Sequence, residues 1–342
     1  YESVHEMGMK PYAFAYLYQA SDLRDQRRTG LFQKVSEAWN EISEMLTFFL
    51  LEIMELPEAF LESLANHDAL LNYRHFLLRQ FQWKPYTLSE PEEKIIKRKN
   101  LSGRKVFVSL YDELMGSLSF PVEIEGQRRS LSTDQVLSLL HSPDRSLREN
   151  AYQTLLEELG RQSIFFKNIL NALVLDHHLE NLKRGHPSPM HRVCLSDGVD
   201  DTAIETMMEV VERHYPLAQR YFHLKARFLG LEKLRNTDLL APLTKEGIQI
   251  PFSRAKRLVL EAIENLHPLI YSIGCEFFER KWIDAEMRKG KRGGAFCKCF
   301  APFLHPFLSI NYGGSLRDVM TLAHELGHGI HYRLAAKQSY LN

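Results

Sequence analysis

The chain has 342 residues, 44% of them hydrophobic and 25% charged, the makeup of a globular protein able to bury one large core or two. Its 18 glycines and 14 prolines are too few for a collagen-like or low-complexity chain. The 43 basic residues balance 43 acidic ones, so no net field draws in nucleic acid or an anionic membrane, and neither is expected as a partner.

Four cysteines (Cys194, Cys275, Cys297, Cys299) are too few for a disulfide scaffold and point to a reducing compartment, the cytoplasm. The most apolar stretch, Met45 to Met54, carries Glu52 and is followed by Pro57, short of the roughly 18 apolar residues that a membrane span needs. The chain opens at Tyr1 without an initiator Met or a signal-like segment, which reads as an internal piece of something longer.

Taken along the chain, Phe32, Val35, Trp39, Ile42, Leu46, Phe49 and Ile53 recur at three- and four-residue steps, predicting one amphipathic helix from Leu31 to Ile53 that Pro57 closes. Similar periodicity runs from Phe60 to Phe81, and Ser89 with Glu92 reads as a capping box opening another helix. Leu118 to Ile124 alternates into Glu125-Gly126-Gln127, which predicts a small hairpin, and Ser132 with Gln135 caps the next helix. Helices continue from Arg145 to about Lys183. The run Arg184-Gly185-His186-Pro187-Ser188-Pro189 then breaks the pattern and marks the expected boundary between an N-terminal helical lobe, residues 1–185, and a second lobe, residues 186–342. Asp201 to Leu229 and Ser253 to Arg288 are again helical in pattern, followed by the basic, glycine-rich stretch Arg288 to Gly294, read as a mobile loop. A strand is predicted from about Phe307, bounded by Gly313-Gly314.

Ser315 and Asp318 then cap a helix whose apolar positions are Val319, Leu322, Ala323, Leu326, Ile330 and Leu334. This helix contains His324-Glu325-Leu326-Gly327-His328. Side chains four apart on a helix stand about 5–6 Å apart on one face, so two imidazoles there can converge on one Zn²⁺ at roughly 2.0–2.1 Å each. Glu325, next to the first ligand, is placed to take a proton from water whose pKa the metal lowers toward about 7. Chance alone supplies about 0.06 such matches in a chain of this composition, and the cap, the preceding strand and Gly327, read as a close-packing position, add context that chance does not. His331 lies about 10.5 Å further along the axis than His324, too far to share a tetrahedral ion. The long metzincin pattern places a glycine where His331 stands and a histidine where Leu334 stands, which excludes that subclass. From Leu326 to Asn342 there is no Asp or Glu to serve as a further ligand. Cys297 and Cys299 read as ordinary thiols on one strand face, and His177-His178 with His186 to His191 as structural histidines lacking an acidic companion.

Gly290 to Phe296, His305-Pro306-Phe307, Asn311-Tyr312-Gly313-Gly314 and His324 to His328, in this order, resemble the oligoendopeptidase F group of the M3 (thimet oligopeptidase-like) metallopeptidases. The likeness extends through Tyr221 to Leu243 and Lys84 to Ser89 and covers the family's central portion. It implies a mainly α, two-lobed helical shell around a deep channel, with the small hairpin near residues 118–130 and a short sheet edge beside the active-site helix, as in gluzincins. It implies one Zn²⁺ held by His324 and His328, with Glu325 as catalytic base, and cleavage of oligopeptides; the chain is separately expected to be a monomer. By the same resemblance, residues 186–342 are the first part of the catalytic lobe, ending just after the zinc-binding helix. Ile310, Asn311 and Tyr312 are expected to offer backbone to an extended substrate as an edge strand. The family's third ligand, a Glu on a following helix, and its downstream Tyr and His that stabilise the oxyanion have no counterparts in this sequence. A second expectation, of another class, is therefore a catalytically silent helical module that encloses peptides.

Overall fold

The structure is a computed structural model describing residues 1–243 and 249–341. The first helices are α1 (Glu2–Ser21), α2 (Gln26–Met45), α3 (Thr47–Glu55), α4 (Glu58–Ala65), α5 (Arg74–Trp83), α6 (Glu90–Ser102) and α7 (Arg104–Ser117). The single helix expected over Leu31–Ile53 is thus two, broken at Leu46. Buried Thr47 explains the break: its hydroxyl donates to the Ser43 carbonyl (3.1 Å) and accepts from Lys97 Nζ (2.7 Å), drawing the backbone away from its regular ladder. The Phe60–Phe81 stretch is likewise divided, with a 3₁₀ turn, Asp68–Tyr73, between α4 and α5. Ser89 caps α6 as expected, its backbone N–H donating to Glu92 Oε2 at 3.1 Å.

The hairpin pairs β1 (Phe120–Ile124) with β2 (Gln127–Leu131) across Glu125 and Gly126, both at positive φ (53° and 74°), the conformation a type I′ turn needs. Phe120 and Val122 point to its buried face. Next come α8 (Thr133–Leu139), capped by Ser132, then α9 (Arg145–Arg161), α10 (Ser163–Arg184), α11 (His191–Asp197), α12 (Asp201–Arg213) and α13 (Tyr215–Phe228). Gly185, at φ 76°, ends α10 in the left-handed conformation, with the His186 N–H bonded back to the Asn181 carbonyl (3.0 Å).

Two further helices, α14 (Phe252–Glu264) and α15 (Pro268–Glu279), lead to β3 (Ile283–Asp284), β4 (Phe296–Lys298), β5 (Phe307–Ser309) and α16 (Leu316–Ala335). The helical pattern read as far as Arg288 stops early because Lys281 takes φ 58° and the Trp282 N–H bonds to the Phe277 carbonyl (3.0 Å). Such a terminus is usually marked by glycine, so nothing in the sequence announced it.

By backbone contacts the chain falls into two compact units: Tyr1–Trp39 with Asp112–Leu159 and Thr244–Asn342, and Asn40–Tyr111 with Gly160–Leu243. The core of the first is a cluster that includes Ile250, Val259, Phe277, Leu308, Ile310, Val319, Leu322, Leu326 and Ile330, so α14, α15, α16 and β5 share one interior. In the second, Arg184 is forked onto Glu93 (2.6 and 3.0 Å) and also bonds Glu180 (2.9 Å), tying α10 to α6. No helix among the described residues is long and apolar enough to cross a membrane.

Candidate active site

The site rests on α16. Ser315 and Asp318 cap it reciprocally (Asp318 N–H to Ser315 Oγ 3.2 Å, Ser315 N–H to Asp318 Oδ2 2.9 Å), and Asp318 Oδ2 also accepts from the Gly313 N–H at 3.1 Å. Val319, Leu322, Leu326 and Ile330 bury one face in the core, and His324 and His328 stand on the exposed side. Their rings lie edge to face with centroids 4.7 Å apart, and the two Nε2 atoms are 3.1 Å from each other. The two nitrogens are within hydrogen-bond distance of each other, close to the roughly 3.3 Å that separates two nitrogens bound tetrahedrally at about 2.0–2.1 Å to one ion. Among the described residues, no group of three or more His, Cys, Asp or Glu is arranged to hold a metal. The donor set present is therefore two imidazoles.

Glu325 is 8% exposed, turned from the solvent side toward β4, and its carboxylate has no hydrogen-bond partner among the described residues. Its neighbours were not foreseen. In the β4–β5 register Cys297 opposes Leu308, a core residue, so its side chain faces α16. Burial first, and then the Glu325 and Cys299 charges, push the Cys297 thiol up to about 12. Tyr332, seven residues beyond Glu325, is also raised, by burial and then by Cys297, Cys299 and Glu325. The i, i+7 spacing and strand alternation were the available signals.

A Cβ added at Gly327 would meet nothing within 4 Å among the described residues. The closely packed glycine is Gly329, where a Cβ would overlap the Phe277 ring, so the packing role read for Gly327 belongs two residues later.

The expected edge strand is also displaced. The sheet order is β3-β5-β4, which puts Phe307–Ser309 in the centre and leaves Phe296–Lys298 at the edge nearest α16. Ile310 N–H bonds to the Asp284 carbonyl (2.9 Å) and Tyr312 N–H to the Ala285 carbonyl (3.1 Å), so both donors are used inside the protein. Asn311 Nδ2 donates to Asp134 Oδ2 (2.8 Å) and to the carbonyls of Arg292 and Gly294 (3.1 Å each), and Tyr312 Oη donates to the Ile250 carbonyl (2.7 Å). On β4, alternation against β5 leaves the N–H and C=O of Cys297 turned outward, away from β5.

The basic loop before β4, expected to be mobile, is bolted down instead. Lys291, whose side chain is 1% exposed, donates to the carbonyls of Asp284 (2.9 Å), Glu286 (3.0 Å) and Ile310 (2.7 Å). Burial lowers its pKa, and the Asp284 carboxylate opposes that shift. Arg292 reaches Asp112 (2.6 Å) and Tyr16 (2.5 Å), and its N–H bonds to the Ala20 carbonyl at the end of α1 (2.9 Å). Asp134, raised by burial, accepts from the Gly294 N–H. The charges of this loop thus serve as internal fasteners that tie the approach to β4 to β3, α1, α7 and α8. His191, in turn, does have an acidic companion, Asp201 Oδ2 at 2.8 Å from its Nδ1, so the absence inferred for the histidines near residue 190 does not hold.

Two family models match this chain. One described as peptidase family M3 matches residues 138–342, and one described as oligopeptidase F matches residues 52–120. Oligopeptidase PepF of Bacillus subtilis is 23% identical over 94% of this chain and 48% of its own length. Group B oligopeptidase PepB of Streptococcus agalactiae is 25% identical over 94% of this chain and 54% of its own. The chain spans about half the length of the curated relatives it matches. Among solved structures, PZ peptidase A superposes with a TM-score of 0.73 at 20% identity, over 93% of this chain and 55% of that one. The oligoendopeptidase F of Enterococcus faecium gives 0.65 at 24% identity, over 82% and 53%. With α16 inside the larger match and the α3–α7 region under the smaller, this chain belongs to peptidase family M3, in the oligoendopeptidase F group.

Proposed function

We propose that the protein is a zinc-dependent endopeptidase hydrolysing short peptides, with His324 and His328 as metal ligands and Glu325 as general base. The observation that carries this reading is the 3.1 Å convergence of the two Nε2 atoms on the open side of α16, with an unpartnered carboxylate on the adjacent residue. Zinc, when bound, supplies Lewis acidity and a lowered water pKa of about 7. Glu325 takes the proton of the attacking water and delivers it to the leaving amine, and its freedom from other hydrogen bonds keeps both oxygens available for that transfer. The edge of β4, with the outward N–H and C=O of Cys297, is where an extended peptide backbone can pair beside the base; Ile310 and Tyr312 have spent their donors elsewhere. The oligopeptidase names of the relatives support short peptides as substrates, and an enclosing channel belongs to the same proposal.

A second reading, a peptide-enclosing module without activity, is favoured by the two-member donor set among the described residues. Zinc titration and peptide cleavage separate the two. The first predicts one zinc per chain, lost in His324→Ala, and cleavage of a quenched fluorescent peptide abolished by a chelator and by Glu325→Gln. Cleavage retained in Glu325→Gln would rule out the assigned base; zinc binding without cleavage would favour the silent module.

A further inference from the structure

The side of the sheet away from α16 carries a cavity of about 400 Å³, within the size range of small-ligand sites. Cys297 and Leu308 point to α16, so their neighbours Phe296, Phe307 and Ser309 alternate to this opposite face, where Leu17 of α1 stands against them. Trp282 and His305 stack in parallel at 4.3 Å, with the Phe307 ring 4.2 Å from His305, and all are half-buried. The cavity wall is therefore aromatic.

Its charge is one-sided. Among the described residues Asp284 is the only carboxylate lining it, and Arg288 (2.7 Å) and Lys291 (3.2 Å) already neutralise that group. Arg280 and Arg333 both lie over Trp282, each 5.6 Å from the ring centre, and both are paired with Glu276 (2.9 and 3.1 Å). Lys281 also lines the cavity and has no ion-pair partner among the described residues. Its left-handed backbone (φ 58°) sets it at the abrupt end of α15, next to Trp282. A stacked aromatic wall beside an uncompensated ammonium suits one kind of guest, a flat ring with a negative charge at its edge.

We propose that this cavity binds an aromatic carboxylate, with the ring against Trp282, His305 and Phe307 and the carboxylate at Lys281. Two sources share that chemistry: a free aromatic acid and the C-terminal aromatic residue of a peptide. The site lies on the opposite face of the sheet from His324 and His328 and does not depend on the peptidase reading.

Calorimetric titration of the chain with N-acetylphenylalanine, its amide and the tripeptide Ala-Ala-Phe tests the proposal. Saturable binding of the acid is expected, weakened about fivefold in the amide and by the same factor in Lys281→Gly. Glycine suits φ 58°, so that variant keeps its fold. Leu17→Trp fills the cavity and should abolish binding at unchanged melting temperature. Tripeptide binding as tight as that of the acid identifies peptide C-termini as the guest; binding of the acid alone identifies free aromatic acids. No saturable binding by either, equal affinity for acid and amide, or full affinity in both Lys281→Gly and Leu17→Trp would overturn the assignment.

Discussion

Gly327 and Gly329 stand two residues apart on α16 and face opposite surroundings, one open and one against the Phe277 ring. Alanine at 329 must displace a fully buried phenylalanine, a loss of about 1–3 kcal/mol. Alanine at 327 meets nothing and gains about 0.5–1 kcal/mol from helix propensity. Urea unfolding of the two variants should therefore move in opposite directions, and coincident midpoints would contradict the packing described. The sequence marked His324, Glu325 and His328 because their relation depends only on the pitch of one helix. It misplaced the glycine because packing against Phe277 depends on a contact some 50 residues away in sequence, which no local pattern encodes. The role of Cys297 was hidden for the same reason.

At the scale of elements, the turn joining α10 to α11 carries a testable pH dependence. His186 stacks on Tyr86 (4.3 Å), meets Trp83 edge-on and His191 at 5.5 Å, and both its ring nitrogens are buried without a hydrogen-bond partner among the described residues. Burial lowers its pKa from 6.5, reinforced by His191, Arg192 and Arg184 and opposed only by Glu180. The unfolded chain then binds a proton more readily than the folded one, so this contribution is complete above pH 6.5 and is lost as pH falls below it. Thermal midpoints measured from pH 7.5 to 5 should fall less steeply in His186→Phe than in the parent; parallel profiles would dissociate His186 from acid sensitivity. Capped helices and the hairpin were readable because their signals sit within a few residues, as with Ser89/Glu92, Ser315/Asp318 and Glu125-Gly126. The sheet order was not, because β3 reaches β5 across some 20 residues, and that pairing decides which strand is the edge.

For the whole molecule, equal numbers of acidic and basic residues give a pI near 7.4. Meanwhile Met207, Met208, Val210 and Val211 on α12, and Leu217, Tyr221 and Phe228 on α13, are exposed. Apolar surface without net charge favours association, because nothing repels like molecules. Light scattering at low salt should be stronger near pH 7.4 than at pH 9 and should fall in Val211→Glu and Phe228→Lys; scattering unchanged in both variants would show that these helices are not the adhesive surface. Composition alone foretold the neutral balance. The exposure of α12 and α13 was not foretold, since an amphipathic pattern shows that a helix has an apolar side but not what shields it.

The Phe277 ring wedged under Gly329, together with the bond from the Gly313 N–H to the Asp318 carboxylate, stops α16 from rolling about its long axis. The bearing of both imidazoles is thus fixed by the hydrocarbon beneath them and not by the cation proposed to bind them. Demetallation should leave this rod unmelted and its amide protons slow to exchange, and remetallation should proceed without refolding.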